Sequence, residues 1–327
     1  MTSKFMEDTG VTIPLICGAM YPCSNVELME AVVGAGALAV VQPLSTVFAH
    51  RQDLRETIRK IAAANQGGCV GFNALIEKSS KVYEDRMRKW VDIALEEGVK
   101  FFVSALGNPS WVVEKAHAAG AVVYHDVTER KWAEKALEGG VDGLICVNGR
   151  AGGHAGSKSP IELYESLADL GVPLVAAGGV GSPAQFLELL DIGYEAVQMG
   201  TRFIATKECT AHEDYKKAIL KAAEEDIVLT RRISGVPVSV IKTPFVERVG
   251  TEVGPITERL LKHHKAKHWV RSYFAAKSVF KLGRNATKGG GYNDYWQAGR
   301  SVDGIKEIQP AAEIVAEFQA ALAERAA

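Results

Sequence analysis

The sequence predicts an α/β protein, a (β/α)8 TIM barrel with a smaller, mostly helical domain inserted before the last barrel helix. Three observations carry that expectation. Short apolar, β-branched runs recur at intervals of about 20–30 residues through the first two thirds of the chain. Each run is continuously apolar rather than alternating, as parallel strands buried on both faces require. Helical patterns separate the runs, and the texture changes after residue 209 before one more helical pattern closes the chain.

The expected strands are Ile13–Cys17, Leu38–Val41, Val70–Leu75, Phe101–Ser104, Ala121–His125, Gly143–Val147, Leu174–Ala177 and Ala196–Met199. The helices expected between them are Val26–Ala35, Leu54–Ala63, Arg86–Glu97, Trp111–Ala119, Arg130–Glu138, Ile161–Leu170 and Pro183–Ile192. Several end on glycine (Gly36, Gly98, Gly120, Gly139, Gly171, Gly193), the usual stop where a chain turns left-handed. Eight strands with seven intervening helices leave a barrel one helix short. Pro310–Arg325 supplies it, with Ile314, Val315, Phe318 and Leu322 on one stripe.

Between strand eight and that helix, residues 211–283 are rich in Lys, Arg and His and mostly helical in pattern. Residues 284–304 are Gly-rich and loop-like. The expected division is therefore 1–209 and 295–327 for the barrel and 210–294 for the insert. Gly34 to Ala39 mimics a dinucleotide fingerprint, but it joins a helix to a strand, the reverse of the required order, and reads as a turn.

The 327 residues carry a formal net charge of -1 and are 47% hydrophobic, which gives ample core. A near-neutral balance argues against a dedicated nucleic-acid binder. No apolar run reaches the ~18 residues a membrane crossing needs. The N-terminus lacks the basic and apolar regions of a signal peptide. The five cysteines, 17, 23, 69, 146 and 209, are scattered and contain no Cys-x-x-Cys, so free thiols in a reducing cytoplasm are expected. A homodimer is left open.

Ligands of such barrels bind at the C-terminal ends of the strands. The sequence places Gly18-Ala19-Met20 after strand one, Asn73 within strand three and His125-Asp126 after strand five. His154 follows strand six within Ala-Gly-Gly-His-Ala-Gly, Gly178-Gly179 follow strand seven, and Gly200-Thr201 follow strand eight. A histidine flanked by residues with almost no side chain has little packing to do, and backbone there can approach a flat ligand closely. Singly, each glycine pair would be an ordinary tight turn. On adjacent strand ends they suit a phosphate held by backbone N–H groups. Together these features predict a phosphorylated cofactor with a histidine over it.

Cys17 and Cys146 fall inside strands and read as small buried hydrophobes. Met20 reads as a ligand contact or as core. Tyr292, Tyr295 and Trp296 suit a pocket cap and hinge packing about equally. His264 and His268 lie one helical turn apart, but Lys262, Lys265 and Lys267 around them would repel a cation, so a solvated basic face is expected and no metal.

In their order along the chain, Ile-Cys-Gly-Ala-Met (16–20), Gly71-Phe72-Asn73, Ala-Gly-Gly-His-Ala-Gly, Ala-Ala-Gly-Gly-Val (176–180) and Gln-Met-Gly-Thr-Arg-Phe (198–203) resemble the nitronate monooxygenase family, formerly the 2-nitropropane dioxygenases. Cys17 stands where the family's first motif usually begins with Gln. Trp296-Gln297-Ala298-Gly299 resembles the family's return into the barrel. The resemblance implies FMN as cofactor and the oxidation of alkyl nitronates with O2 to carbonyl compounds and nitrite. It would place Ala19, Met20 and Tyr21 along the isoalloxazine, with Asn73 bonded to it and Gly152 beside it. Gly178, Gly179, Val180, Gly200 and Thr201 would hold the phosphate. His154 would abstract a proton or orient the substrate. Asp126 stands where some members carry a Lys near the flavin, and a carboxylate there does not stabilise a reduced, anionic flavin as a cation would. Flavin-dependent enoyl-acyl-carrier-protein reductases and NADH:quinone reductases share the scaffold, so an NAD(P)H-dependent FMN reductase of an enoyl thioester or quinone is the alternative expectation.

Overall fold

A computed structural model describes residues 3–65, 70–77, 81–233, 235–262 and 295–326. Eight parallel strands close into a barrel in sequence order. They are β1 Leu15–Cys17, β2 Leu38–Val41, β3 Val70–Ile76, β4 Phe101–Leu106, β5 Val122–Val127, β6 Gly143–Val147, β7 Leu174–Ala177 and β8 Ala196–Met199. Closure pairs Leu15, Ile16 and Cys17 of β1 with Val197, Gln198 and Met199 of β8. β1, β2, β4, β7 and β8 are buried along nearly their whole length, which is why their runs carry no polar alternation.

All eight expected strands are present. β3, β4 and β5 run one or two residues beyond their expected C-terminal ends, and these extensions raise one wall of the barrel mouth. The helices between strands are α2 Val26–Gly34, α3 Leu54–Ala63, α4 Lys81–Glu96, α5 Ser110–Ala118, α6 Arg130–Glu138, α7 Pro160–Glu165 and α8 Pro183–Ile192. Local chemistry sets their starts. Asp53 caps α3 by accepting from the Glu56 N–H, and Ser159 with Glu162 forms a reciprocal capping box on α7. Of the expected glycine stops, Gly139 behaves differently. It keeps a right-handed conformation, and Gly140, with φ of 86°, makes the left-handed turn.

A helix that periodicity did not predict, α1 Lys4–Thr9, closes the N-terminal end of the barrel. Its Phe5 is fully buried edge-on to Phe101, with ring centroids 5.9 Å apart, and to Tyr124 at 6.2 Å. The Phe5 N–H donates to Glu195 and the Tyr124 hydroxyl donates to Asp8. Six residues are too few to show a 3.6-residue period. The helix Ala311–Ala326 supplies the missing barrel layer between α2 and α8, with Phe318 against Phe186 at 5.3 Å.

After β8 come the short α9 Thr201–Ile204, then α10 Glu213–Lys221, α11 Pro244–Val249 and α12 Pro255–Lys262. Among them lies an antiparallel pair, β9 Ile227–Thr230 and β10 Val238–Ile241, which the helical expectation for this segment did not include. Each strand has four residues, too short to distinguish from a turn of buried helix by pattern. Ile233, Val238, Val240, Val246 and Tyr295 make a small core of their own, separate from the barrel core. β10 then docks on the barrel mouth: Ser239 N–H donates to the Gly153 carbonyl at 2.7 Å, and Ile241 N–H to the Trp296 carbonyl at 2.8 Å.

Candidate active site

At the C-terminal ends of the strands a cavity of about 1140 Å3 opens. Every residue expected to bind cofactor or act in catalysis lines it: Ala19, Met20, Tyr21, Asn73, Asp126 and Gly152, together with His154, Gly178, Gly179, Val180, Gly200 and Thr201. Positions spread over nearly 200 residues thus converge on one space because each lies within or just after a strand of the same parallel barrel.

The turn after β1 is fixed by its own backbone. Met20 N–H donates to the buried Ser24 hydroxyl at 2.8 Å, Ser24 N–H donates back to the Met20 carbonyl at 2.8 Å, and the Ser45 hydroxyl reaches the same carbonyl at 3.4 Å. A cis Tyr21–Pro22 bond follows. The Met20 side chain is therefore presented to the cavity from a braced turn, although part of it also packs on the core.

The loop after β6 is organised by Asn148, a residue whose sequence context carries no distinguishing signal. It is fully buried. Its amide donates to the Gly178 carbonyl at 3.0 Å, its Oδ1 accepts from Arg150 N–H at 2.8 Å, and its carbonyl accepts from Ala151 and Gly156. The β6 and β7 loops are thereby tied together. Gly178 has φ of 110° and Gly179 has φ of 91°. A Cβ on Gly178 would lie 2.5 Å from the Ala151 backbone, so glycine is required there by neighbouring chain as well as by conformation. Thr201 Oγ1 accepts from Gly299 N–H at 3.0 Å, which leaves its own hydroxyl proton free to donate into the cavity.

Two histidines and an aspartate are among the titratable side chains that line this space. His154 exposes its surface to the cavity mouth, and the protein around it holds its imidazole below the usual range, so it is neutral at neutral pH. His125 is buried, and burial lowers it to about 4. Its Nδ1 lies 2.8 Å from the Ser104 hydroxyl. Asp126 beside it is pushed up to about 7 by desolvation. Asp126 Oδ1 is buried and has no hydrogen-bond partner among the described residues, and the same holds for Asn73 Oδ1. Two unsatisfied buried oxygens cost stability unless a ligand satisfies them. A flavin ring edge, which offers both N–H and acceptor atoms, fits this pair.

On the outer side the cavity continues between the β4–α5 loop and α6. Leu106 (68% exposed, with a left-handed φ of 74°) and Trp132 (45% exposed) line it there with Lys135. Lys131 and Lys135 each place Nζ 5.0 Å from the Trp132 ring centroid. No sequence signal distinguished this rim from a solvated helix face. From the insert side Tyr215 stacks on Trp296 at 5.7 Å, and its hydroxyl donates to the Gln297 carbonyl. Tyr295 packs on Phe245 at 5.3 Å. Trp296 and Tyr295 are nearly buried and also line the cavity, so they both pack and cap. Tyr292, His264, Lys265, Lys267 and His268 lie outside the described residues, as does the side chain of Lys262. Among the described residues there is no cluster of His, Cys, Asp and Glu suited to a metal ion, and no helix long and apolar enough to cross a membrane.

A closed eight-stranded parallel barrel with an ordered, glycine-framed cavity at its C-terminal mouth defines a barrel enzyme. More particularly, the chain belongs to the nitronate monooxygenase family, whose model matches residues 3–320. That makes it an oxidoreductase of a flavin-dependent family. It is 29% identical to a hydroxy-methyl-oxo-octahydro-indene-carboxyl-CoA dehydrogenase of Mycobacterium tuberculosis, over 76% of this chain and 68% of that protein. It is 30% identical to a protein of Staphylococcus saprophyticus described as a probable nitronate monooxygenase, over 49% of this chain and 48% of that one. Among solved structures, a FabK from Thermotoga maritima superimposes with a TM-score of 0.81 at 24% identity, covering 100% of this chain and 97% of that one. A nitroalkane oxidase from Streptomyces ansochromogenes superimposes with a TM-score of 0.73 at 20% identity, covering 98% of each. At those identities the structural likeness establishes the fold.

Proposed function

We propose that the protein is an FMN-dependent nitronate monooxygenase, acting in the cytoplasm on a small nitronate and O2. The observation that carries the reading is the convergence, in one cavity, of two unpartnered buried oxygens, a glycine-framed loop pair and a neutral histidine. Residues 1–209 and 295–327 would form the cofactor-binding barrel and 210–294 the smaller domain that covers it.

In this reading Asn73 and Asp126 take the polar edge of the isoalloxazine and Met20 packs against its face. The backbone of Gly178–Val180 and Gly200, with the Thr201 hydroxyl, takes the phosphate. FMN, when bound, supplies the electron acceptance and the reaction with O2. The protein's task is orientation and proton control. His154, kept neutral by its surroundings, accepts the α-proton of a neutral nitroalkane or hydrogen-bonds the nitro oxygens of a nitronate. β10 fixes the position of that loop through the Ser239–Gly153 hydrogen bond. Trp296 and Tyr295 cover the site on the insert side.

A second reading is favoured by the outer rim of Leu106, Trp132 and Lys135. The cavity extends beyond the expected ring site along an apolar and cationic groove, which suits a long thioester, and the M. tuberculosis relative is named for a carboxyl-CoA. The two readings separate in one anaerobic experiment on the flavin-loaded protein. Bleaching of the flavin by propyl-2-nitronate, faster than by NADH or NADPH, is expected. Rapid bleaching by a nicotinamide with no response to nitronate would overturn the first reading and install the reductase. Mass spectrometry of the released cofactor should return FMN. FAD would refute the assigned phosphate site.

A further inference from the structure

Cys23 and Cys209 are 186 residues apart in the chain and side by side in the fold. Cys23 sits in the turn after β1 and borders the cavity. Cys209 follows α9, and β1 and β8 are paired, so barrel closure brings the two segments together. They are also pinned to each other. Asn25 donates its amide to the Glu208 carbonyl at 2.9 Å, and its Oδ1 accepts from Thr210 N–H at 3.1 Å. Between these clamps the Cys209 thiol donates to the Cys23 carbonyl at 3.6 Å, and the two side chains are near enough to influence each other's ionisation. Both side chains are buried.

The surroundings are not those of two inert core thiols. The neighbouring Cys23 side chain holds the Cys209 thiol below its ordinary range. It acts against burial and is assisted by the Ala211 N–H and the charge of Lys216. That lysine is itself buried, with Nζ 3.5 Å from Glu213. Cys23 is pushed the other way, chiefly by Cys209, and remains a thiol. A thiol held below its ordinary range beside one held above it, with Cys23 on the cavity wall, suits an attacking and a resolving cysteine. Cys146, buried within β6, has burial as its leading influence and stays protonated.

We propose that Cys23 and Cys209 form a thiol pair that a hydroperoxide converts to a disulfide, joining the β1 turn to the segment after α9. The Cys209 thiolate attacks one oxygen of hydrogen peroxide. The O–O bond breaks, hydroxide leaves and Cys209 becomes a sulfenic acid. The Cys23 thiol then attacks that sulfur, the S–O bond breaks, and the hydroxyl leaves as water with the Cys23 proton. One peroxide is reduced and two cysteines are oxidised. The step is independent of the proposed nitronate chemistry, since any hydroperoxide that reaches the pair serves.

The test uses the full-length protein, reduced, desalted and treated with hydrogen peroxide before peptide mapping without reductant. The expected result is a cross-linked peptide pair containing Cys23 and Cys209, short of two hydrogen atoms and restored by dithiothreitol. Cys23→Ser should leave Cys209 as a sulfenic acid that dimedone traps, and Cys209→Ser should protect Cys23. Peroxide that oxidises Cys69 or Cys146 while Cys23 and Cys209 stay reduced would overturn the proposal. So would Cys23 oxidation that persists in Cys209→Ser. The wild-type map decides the matter even if either variant fails to fold.

Discussion

Asn73 on β3 and Asp126 on β5 each present a buried side-chain oxygen to the same cavity, and neither oxygen has a partner among the described residues. A protein that kept both without a ligand would carry two desolvation penalties. The pair therefore marks where bound polar atoms are expected. It also gives Asp126 a role that differs from that of a lysine. With its carboxyl raised to about 7, the residue is largely protonated just below neutrality and can donate a hydrogen bond.

The raised Asp126 makes a prediction about stability. In the folded chain it holds its proton up to about pH 7, against an ordinary value of 3.8. The sign follows from linkage. Its favourable contribution is complete below the unfolded value and is lost as pH rises through the folded one. Asp126→Asn cannot ionise, so its advantage in melting temperature over wild type should grow between pH 3.8 and about 7 and then level off. Melting curves across that range, at matched flavin content, check it. A pH-independent difference would remove the titration from the explanation.

His125, one residue earlier, works in the opposite direction. Burial lowers it to about 4 from 6.5. Its contribution is present above the higher value and lost as pH falls through the lower one. Ser104→Ala removes the hydroxyl 2.8 Å from Nδ1 and leaves a buried imidazole nitrogen unsatisfied. A loss of roughly 1–3 kcal/mol is expected in urea unfolding. An unchanged midpoint would mean that another group satisfies the ring.

Asn73→Ala should weaken flavin binding. A single hydrogen bond is worth about 0.5–1.5 kcal/mol net, which is roughly 2–10-fold in a dissociation constant. Fluorescence titration of the stripped protein with FMN measures it. Unaltered affinity would place the ring elsewhere in the cavity.

Gly178→Ala tests the loop after β7. Its φ of 110°, and an Ala151 backbone only 2.5 Å from where the added methyl would sit, leave no room for a side chain. A backbone strain cost on the order of 1–3 kcal/mol is expected. The accompanying shift of the Asn148-tied loops should lower FMN affinity as well. Wild-type stability in a chemical melt would show that the loop has an alternative conformation.

The barrel was legible because each buried parallel strand leaves a local signature, a short continuous apolar run such as Leu38–Val41 or Leu174–Ala177. That the candidate residues line one cavity was legible for the same reason, since strand ends determine what meets at the mouth. What escaped has non-local causes. Asn148 looks like any loop asparagine until the fold brings Gly178 to its amide. Trp132 reads as one residue of a charged helix until the β4–α5 loop faces it across the cavity. Cys23 and Cys209 acquire a relation only when β1 and β8 pair. α1 and the β9–β10 pair are too short for periodicity to register.

His154→Asn separates the two roles open to the histidine. Its ring lines the cavity and its surroundings favour the neutral form, which is the form that accepts a proton. A neutral nitroalkane must lose an α-proton before oxidation, whereas a pre-formed nitronate has already lost it. Loss of a general base typically costs ~10²–10⁴-fold, so kcat/KM for the nitroalkane should fall by that order while the nitronate is affected much less. Asparagine retains a hydrogen-bond donor, which preserves orientation of the nitro oxygens. Steady-state kinetics on a nitroalkane and its own nitronate, with flavin content measured in parallel, read both roles at once. Equal losses on the two substrates would show that His154 orients and does not abstract. Full activity on both would remove it from the chemistry, leaving His125 as the other imidazole on the cavity wall.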